Sequence, residues 1–189
     1  MLLETGDIAI YTGGMFGHVM MVYEGGRKPK IIHATNAKNF HIEDYMSDGK
    51  NGMVNYAFST DIDYFTPMDG LLTDTEKTRM QRVAQSIARR AKYGKYRAVR
   101  LFLGSETIGK GTQKGLTKYR GRLAMIGNAD SGAGKLVTTV TCTEAVVLSY
   151  QLTLDPAHPL FIKKDAAHTM PRSLSSYLKK DARWQHRRL

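Results

Sequence analysis

Short apolar runs separated by paired glycines mark the first part of the chain. Residues 7–12, 17–23 and 30–35 are each short and apolar, and the second run is rich in Val, Met and Tyr, as strands are. Gly13-Gly14 and Gly25-Gly26 fall between these runs and predict tight turns. Three strands joined in this way predict an antiparallel meander.

A helical period replaces this pattern further along the chain. Thr73 to Glu76 has the form of a capping box, and the apolar residues from Met80 to Ala91 recur at helical spacing. Shorter signals predict a strand at residues 62–66, a strand or helical turn at 40–45, and helices at 141–154 and 172–180. The sequence therefore predicts an α+β fold in which an antiparallel sheet or small barrel packs against helices.

The length of 189 residues suits one domain covering residues 1–189. Between residues 104 and 135 the composition shifts to Gly, Lys, Thr and Ser, and this stretch is long for a connection inside a compact domain. We interpret residues 104–135 as a flexible insertion or flap. The chain begins without a basic and apolar leader, and no apolar run approaches the ~20 residues of a membrane helix. Synthesis in the cytoplasm without a signal peptide is therefore expected.

The chain is strongly basic, with 28 Lys and Arg against 17 Asp and Glu and a formal charge of +11. Such a surplus attracts polyanions such as nucleic acid, acidic lipid headgroups or wall polymers, or serves solubility alone. No nucleic-acid motif is present, and aromatic residues are not interleaved with the basic runs, so a specific nucleic-acid partner is not expected. The single cysteine excludes an intrachain disulfide and a thiolate zinc site.

That cysteine, Cys142, falls where a helix is predicted to begin. Thr141 is a suitable N-cap residue, and Glu144 follows three residues later in a second capping-box pattern. The helix dipole and the unpaired N–H groups of a first turn lower a thiol pKa and can stabilise an oxyanion. Cys142 is therefore a candidate nucleophile, and the alternative is an inert cysteine at a packed helix start.

Two of the six histidines, His18 and His33, lie within predicted strands. His18 opens its strand on the same side as Met20 and Val22, and His33 lies near the end of the next strand. A turn at Gly25-Gly26 would bring the two rings together across the ladder. One imidazole could then accept the thiol proton while the other orients it, although strand histidines are also common as structural residues.

Several motifs resemble the core of NlpC-type papain-like peptidases. These are Gly6-Asp7 before a strand, Gly17-His18-Val19 within one, and Ile32-His33-Ala34-Thr35. No cysteine precedes them, and Thr141 to Val146 instead resembles the helix start of the circularly permuted branch, in which the cysteine helix comes last. That branch includes bacterial hydrolases and lecithin:retinol acyltransferase-like enzymes. Met20-Met21 departs from the small Gly-Ile of the family beside the histidine.

The resemblance continues between and after these motifs. The strand at residues 62–66, the capped helix and Tyr93-Gly94-Lys95-Tyr96 are similar to the segment that links the halves of permuted members. Thr169-Met170-Pro171 begins a segment similar to their closing "TP-x-x-L" motif. The resemblance thus covers most of the chain and leaves residues 104–135 the least matched. It implies a permuted papain-like fold.

The same resemblance implies roles for individual residues. Cys142 would be the nucleophile, His18 the general base and His33 the third, orienting residue. Tyr11 and Tyr96 are candidates for lining the substrate site, and Glu144 is a capping residue. This chemistry requires neither a cofactor nor a metal.

The resemblance also implies a substrate class, namely amide bonds in bacterial peptidoglycan peptides. Without a leader, such an enzyme would reach its substrate as a secreted antibacterial effector with a delivery partner and an immunity protein, or as a phage lysis factor. Binding to an anionic wall polymer or membrane surface would fit the basic charge. Two alternatives stay open: an acyl hydrolase or acyltransferase acting on lipids or thioesters, and a non-catalytic basic binding module.

Overall fold

The computed structural model describes residues 3–13, 17–27, 29–34, 40–44, 62–90, 92–93 and 139–188. The strands are β1 Ile8–Tyr11, β2 His18–Glu24, β3 Lys30–Ala34, β4 Phe40–Asp44, β5 Ile62–Pro67, β6 Lys92–Tyr93, β7 Thr139–Val140 and β8 Trp184–Arg188. The helices are α1 Asp74–Arg90, α2 Cys142–Thr153, a 3₁₀ turn Ala166–His168, and α3 Pro171–Lys179. The predicted α+β class is confirmed.

Six strands form one antiparallel sheet in the order β4-β3-β2-β1-β5-β8. The first four are a meander, of which the short apolar runs and glycine turns predicted the first three strands, and β5 then pairs with the free side of β1. Within the described residues β4 and β8 are the two edges, so the sheet is open and the alternative of a small barrel is wrong. β6 and β7 form a separate parallel pair.

The strand register defines two ends of the sheet. Tyr11 lies opposite His18 on one side and Ile62 on the other, and Asp63 lies opposite Arg188. We call this the His18 end. Gly6, Glu24, Pro67 and Trp184 lie toward the opposite end, which we call the Gly6 end.

The helices cover one face of the sheet and complete the main hydrophobic core. Val19, Met21 and Ile32 project from the sheet into this core, where they join apolar residues of α1, α2 and α3. The opposite face carries a smaller buried cluster that includes Met20, Val22 and Ile31, whose positions alternate with the first set. Alternation of side chains along a strand therefore sorts β2 into a helix-covered face and a second face.

Local sequence signals account for where the helices begin. Glu76 accepts hydrogen bonds from the Thr73 backbone N–H at 2.9 Å and returns one from its own N–H to the Thr73 hydroxyl at 3.2 Å. This is the predicted capping box at the start of α1. Pro171 occupies the first turn of α3, where its missing N–H is not needed. Among the described residues no helix is long and apolar enough to cross a membrane.

Four short elements of the described ranges were not predicted, namely β6, β7, the 3₁₀ turn and β8. Of these, β8 extends the main sheet, because Trp184–Arg188 pairs along β5. The reason is long-range: Asp63 of β5 binds His186 of β8 at 2.8 Å, Ser175 of α3 at 2.8 Å and Lys179 of α3 at 2.8 Å. This buried carboxylate ties the last helix and strand to the sheet. The predicted insertion at residues 104–135 lies outside the described residues.

Candidate active site

Helix α2 holds Cys142 at the His18 end of the sheet. Its N-cap is Thr141, whose hydroxyl accepts a hydrogen bond from the Glu144 backbone N–H at 3.2 Å. In return, the Glu144 carboxylate accepts a hydrogen bond from the Thr141 backbone N–H at 3.3 Å. Every residue of the helix is buried, so its position is set by packing along its whole length. At its far end the Tyr150 hydroxyl donates to the Gly6 carbonyl. Both ends of the helix are therefore fixed to the sheet.

The Cys142 thiol lies against the backbone of β2, within reach of the Val19 N–H. Burial raises the pKa of this thiol above its ordinary value, and the N–H groups of Val19, Thr143 and Cys142 act in the opposite direction without outweighing it. The expectation that the helix start would lower the thiol pKa is therefore wrong. The resting group is a neutral thiol, because desolvation disfavours the thiolate more than the helix start favours it.

His18 and His33 contact each other directly, as their strands predict. His18 Nε2 lies 2.9 Å from His33 Nδ1, and the rings meet edge to face with centroids 5.2 Å apart. His33 is 1% exposed. One ring nitrogen of this pair donates and the other accepts, so the contact couples the tautomers of the two rings.

Burial lowers the pKa of His18 to about 3, and the neighbouring His33 lowers it further because two imidazolium ions repel each other. His18 is therefore neutral at physiological pH. A neutral thiol and a neutral imidazole then lie near the same stretch of β2. This resting state differs from the thiolate–imidazolium pair that a low thiol pKa would give.

The two groups reach β2 from different sides. Cys142 packs in the helix-covered core, whereas His18 shares the strand parity of Met20 and Val22 in the cluster on the second face. The thiol meets the strand at the Val19 backbone, the first peptide group after His18. The thiol and the imidazole therefore come from opposite sides of β2, at the end of the strand where His18 lies.

The remaining predicted site residues fall in different places. Tyr11 is half-buried directly opposite His18, and its ring lies over Gly13. Glu144 completes the cap of α2, as predicted, and is fully buried. Tyr96 lies outside the described residues.

Sequence reasoning missed the start of α3 at this end of the sheet. Pro171 packs so closely on Gly17 that a Cβ on that glycine would lie 3.0 Å from the proline Cβ. The next residue, Arg172, is exposed and donates from Nε to the Thr12 carbonyl at 3.2 Å. The signal was the Thr169-Met170-Pro171 segment, but its place beside Gly17 depends on a contact between residues 154 positions apart.

Within the described part of the chain, no group of three or more His, Cys, Asp or Glu side chains is arranged to hold a metal ion. No protein-family model matches the chain, and neither a curated protein nor a solved structure matches it. The function has to be argued from the site itself.

Proposed function

We propose that this chain is a cysteine hydrolase that cleaves amide bonds, with Cys142 as nucleophile, His18 as general base and His33 as the orienting residue. The observation that carries the proposal is the meeting of a capped helix start bearing the only cysteine with the strand that begins at a paired, neutral histidine. A nucleophile beside an unprotonated base that a third group orients is the arrangement that acyl transfer requires.

The pKa directions favour proton transfer during the reaction over a preformed ion pair. His18 accepts the thiol proton as Sγ attacks the carbonyl carbon, and the carbonyl oxygen becomes an oxyanion. The C–N bond then breaks, and the imidazolium returns the proton to the leaving amine, which leaves a thioester on Cys142. Water then attacks the thioester with His18 again as base. The carboxylic acid product is released, and the Cys142 thiol is regenerated.

Backbone N–H groups supply the donors for the oxyanion in this scheme. Those of Cys142 and Thr143 already lie near the sulfur in the first turn of α2, where no intrahelical acceptor uses them. His33 keeps its ring hydrogen-bonded to that of His18 and so holds the orientation of the base. The scheme requires the His18 ring to meet the thiol at the end of β2.

The resemblance of the sequence to NlpC-type peptidases supplies the proposed substrate class, amide bonds in the peptides of bacterial peptidoglycan, and the proposed permuted papain-like fold. The order of elements is compatible with it, since the strands that carry His18 and His33 precede the cysteine helix. The basic charge of the protein fits an anionic wall.

The experiment is digestion of purified peptidoglycan and of its isolated stem peptides, with new amino groups counted and the products identified by mass spectrometry. Wild-type protein should release amines, and Cys142→Ala should lower the rate on the order of 10⁴-fold or more. His168→Ala is the matched control, because this exposed histidine lies outside the site and binds Asp165. Absence of release by wild-type protein, or equal release by Cys142→Ala, would refute the proposal. Turnover of lipid esters in place of peptides would move the assignment to an acyltransferase-like enzyme.

A further inference from the structure

Basic side chains gather at the His18 end of the sheet. Arg172 binds the Thr12 carbonyl at the end of β1, and Lys179 binds Asp63 in β5. Arg188 lies opposite Asp63 in the neighbouring strand and is exposed. These three cations come from α3 and β8, the two elements that close the chain, and they lie at the end of the sheet where α2 begins.

Two carboxylates that the structure describes at this end, Asp63 and Glu144, do not face solvent. Asp63 is 2% exposed and is bound by Ser175, Lys179 and His186. Glu144 is fully buried in the cap of α2. The Gly6 end differs, since Glu4, Asp7 and Asp69 line a shallow cavity there together with Lys77. Among the described residues, Arg172 and Arg188 are therefore exposed cations at the His18 end, whereas the Gly6 end carries charges of both signs.

Arg172 has the most direct relation to the candidate site. Its Nε binds the residue after Tyr11, and the adjacent Pro171 packs on the residue before His18. The cross-strand pair Tyr11 and His18 is therefore flanked by the first turn of α3. A guanidinium is a planar fork of N–H donors that matches a carboxylate in shape and charge.

From this placement we infer that the substrate carries a free carboxylate on a residue next to the bond that is cleaved, and that Arg172 binds it. The inference rests on the proposed amide hydrolysis and adds the charge of the substrate to it. Lys179 is neutralised by its ion pair with Asp63, so Arg188 contributes the positive field that attracts the same anion from solution, and Arg172 makes the contact that orients it.

The test uses two stem-like peptides that are identical except that one has a free carboxylate beside the scissile amide and the other a carboxamide. Wild-type protein should cleave the carboxylate form with kcat/KM on the order of 10- to 100-fold higher, the range expected for a charge-assisted contact. Arg172→Gln should abolish this preference by raising KM for the carboxylate peptide, while kcat changes less than about threefold. Arg172→Lys should keep part of the preference, because the charge remains but the fork is lost.

Lys77→Gln is the matched control, since it removes one positive charge at the Gly6 end and should leave the preference unchanged. Binding of both peptides to Cys142→Ala, with and without Arg172→Gln, measures the contact without turnover, and circular dichroism of each variant verifies its fold. A wild-type protein that cleaves both peptides equally, or an Arg172→Gln variant that is folded and keeps the preference, would overturn the inference and leave the hydrolase intact. Failure of wild-type protein to cleave either peptide would count against the proposed function itself. In that case, tighter binding of the carboxylate peptide to Cys142→Ala would still support the contact, provided that adding Arg172→Gln removes this preference.

Discussion

The two ends of the sheet bury titratable groups in opposite ways, although the same helix joins them. At the His18 end the pKa of His18 is lowered to about 3, and its ring is bonded to His33. At the Gly6 end the pKa of Asp7 is raised to about 6, and its Oδ1 has no hydrogen-bond partner among the described residues. Burial drives both groups toward their neutral forms.

The difference lies in what surrounds each of the two groups. His18 has a second imidazole bonded to its ring, a thiol near the adjacent peptide group, and a helix start that can stabilise a negative charge. Asp7 has the Glu4 N–H at 2.9 Å and the nearby Tyr150 hydroxyl, which is bonded to Gly6. The first set pairs the candidate nucleophile with the candidate base, so the proposed chemistry lies at the His18 end, whereas the Tyr150 contact with Gly6 anchors α2 at the Gly6 end.

The largest expected difference between the two ends of the sheet is in catalytic turnover. His18→Ala should lower the turnover of a cleaved peptide on the order of 10²- to 10⁴-fold, because the general base is lost. Asp7→Asn at the other end should leave turnover within about threefold of wild type, since Asp7 holds no proton that the reaction moves. Steady-state rates on one peptide substrate measure both. Equal losses in the two variants would remove the distinction between the ends.

A packing test addresses the anchor at the Gly6 end. Gly6 has a φ of 99°, and a Cβ there would lie 2.8 Å from Leu72 Cδ1 and 3.0 Å from the Tyr150 hydroxyl. Gly6→Ala should lower the free energy of unfolding by about 3 kcal/mol, through backbone strain and displacement of Tyr150.

Gly70→Ala is the control for that test. Gly70 also has positive φ, at 77°, but open space around its Cβ position. We expect a loss of about 1 kcal/mol from strain alone. Urea denaturation gives both values, and equal losses would show that contact with Tyr150 does not anchor the helix.

The smallest effect concerns the pH dependence of stability. The folded-state pKa of Asp7 lies above its unfolded value of about 3.8, so the folded protein binds more protons between pH 3.8 and about 6. Stability due to this group therefore falls as pH rises through that window, and the penalty is fully present above pH 6. Asp7→Asn should stabilise the protein by about 1 to 2 kcal/mol at pH 7 and by nothing below pH 4. Thermal unfolding across this range tests it, and a stabilisation independent of pH would contradict the account.

Features set by neighbouring residues were predictable from the sequence. The meander follows from short apolar runs and paired glycines, and the caps of α1 and α2 follow from Thr-x-x-Glu spacing. Contact between the His18 and His33 rings followed from two adjacent strands and the turn between them. In each case residues close in sequence determine the result.

Features set by distant contacts were not predictable. The sequence of β8 is polar and basic because all of its residues after Trp184 are exposed. It forms a strand only because it pairs with β5. The pKa of Cys142 depends on burial against β2, more than 120 positions earlier in the chain, and burial outweighs the helix start. The pKa of Asp7 likewise depends on burial and on the distant residues Thr66 and Arg187. The sequence of α2 does not indicate which residues cover its first turn.

The pairing of Cys142 with His18 is the central claim, and the pH dependence of covalent acylation tests it most directly. A small activated ester should acylate Cys142, and the label is unambiguous because the chain has one cysteine. If His18 takes the thiol proton, the acylation rate of wild-type protein should be nearly constant from about pH 5 to 8, because His18 stays neutral and the thiol stays protonated.

His18→Gln should then react about 100-fold more slowly at pH 7, and its rate should rise about tenfold per pH unit as free thiolate becomes the nucleophile. Rapid-mixing measurements of the acylation burst, with the label located by mass spectrometry, provide both profiles. A flat profile in wild-type protein and a steep one in His18→Gln is the predicted result. The same steep profile in both proteins would show that His18 does not act on Cys142.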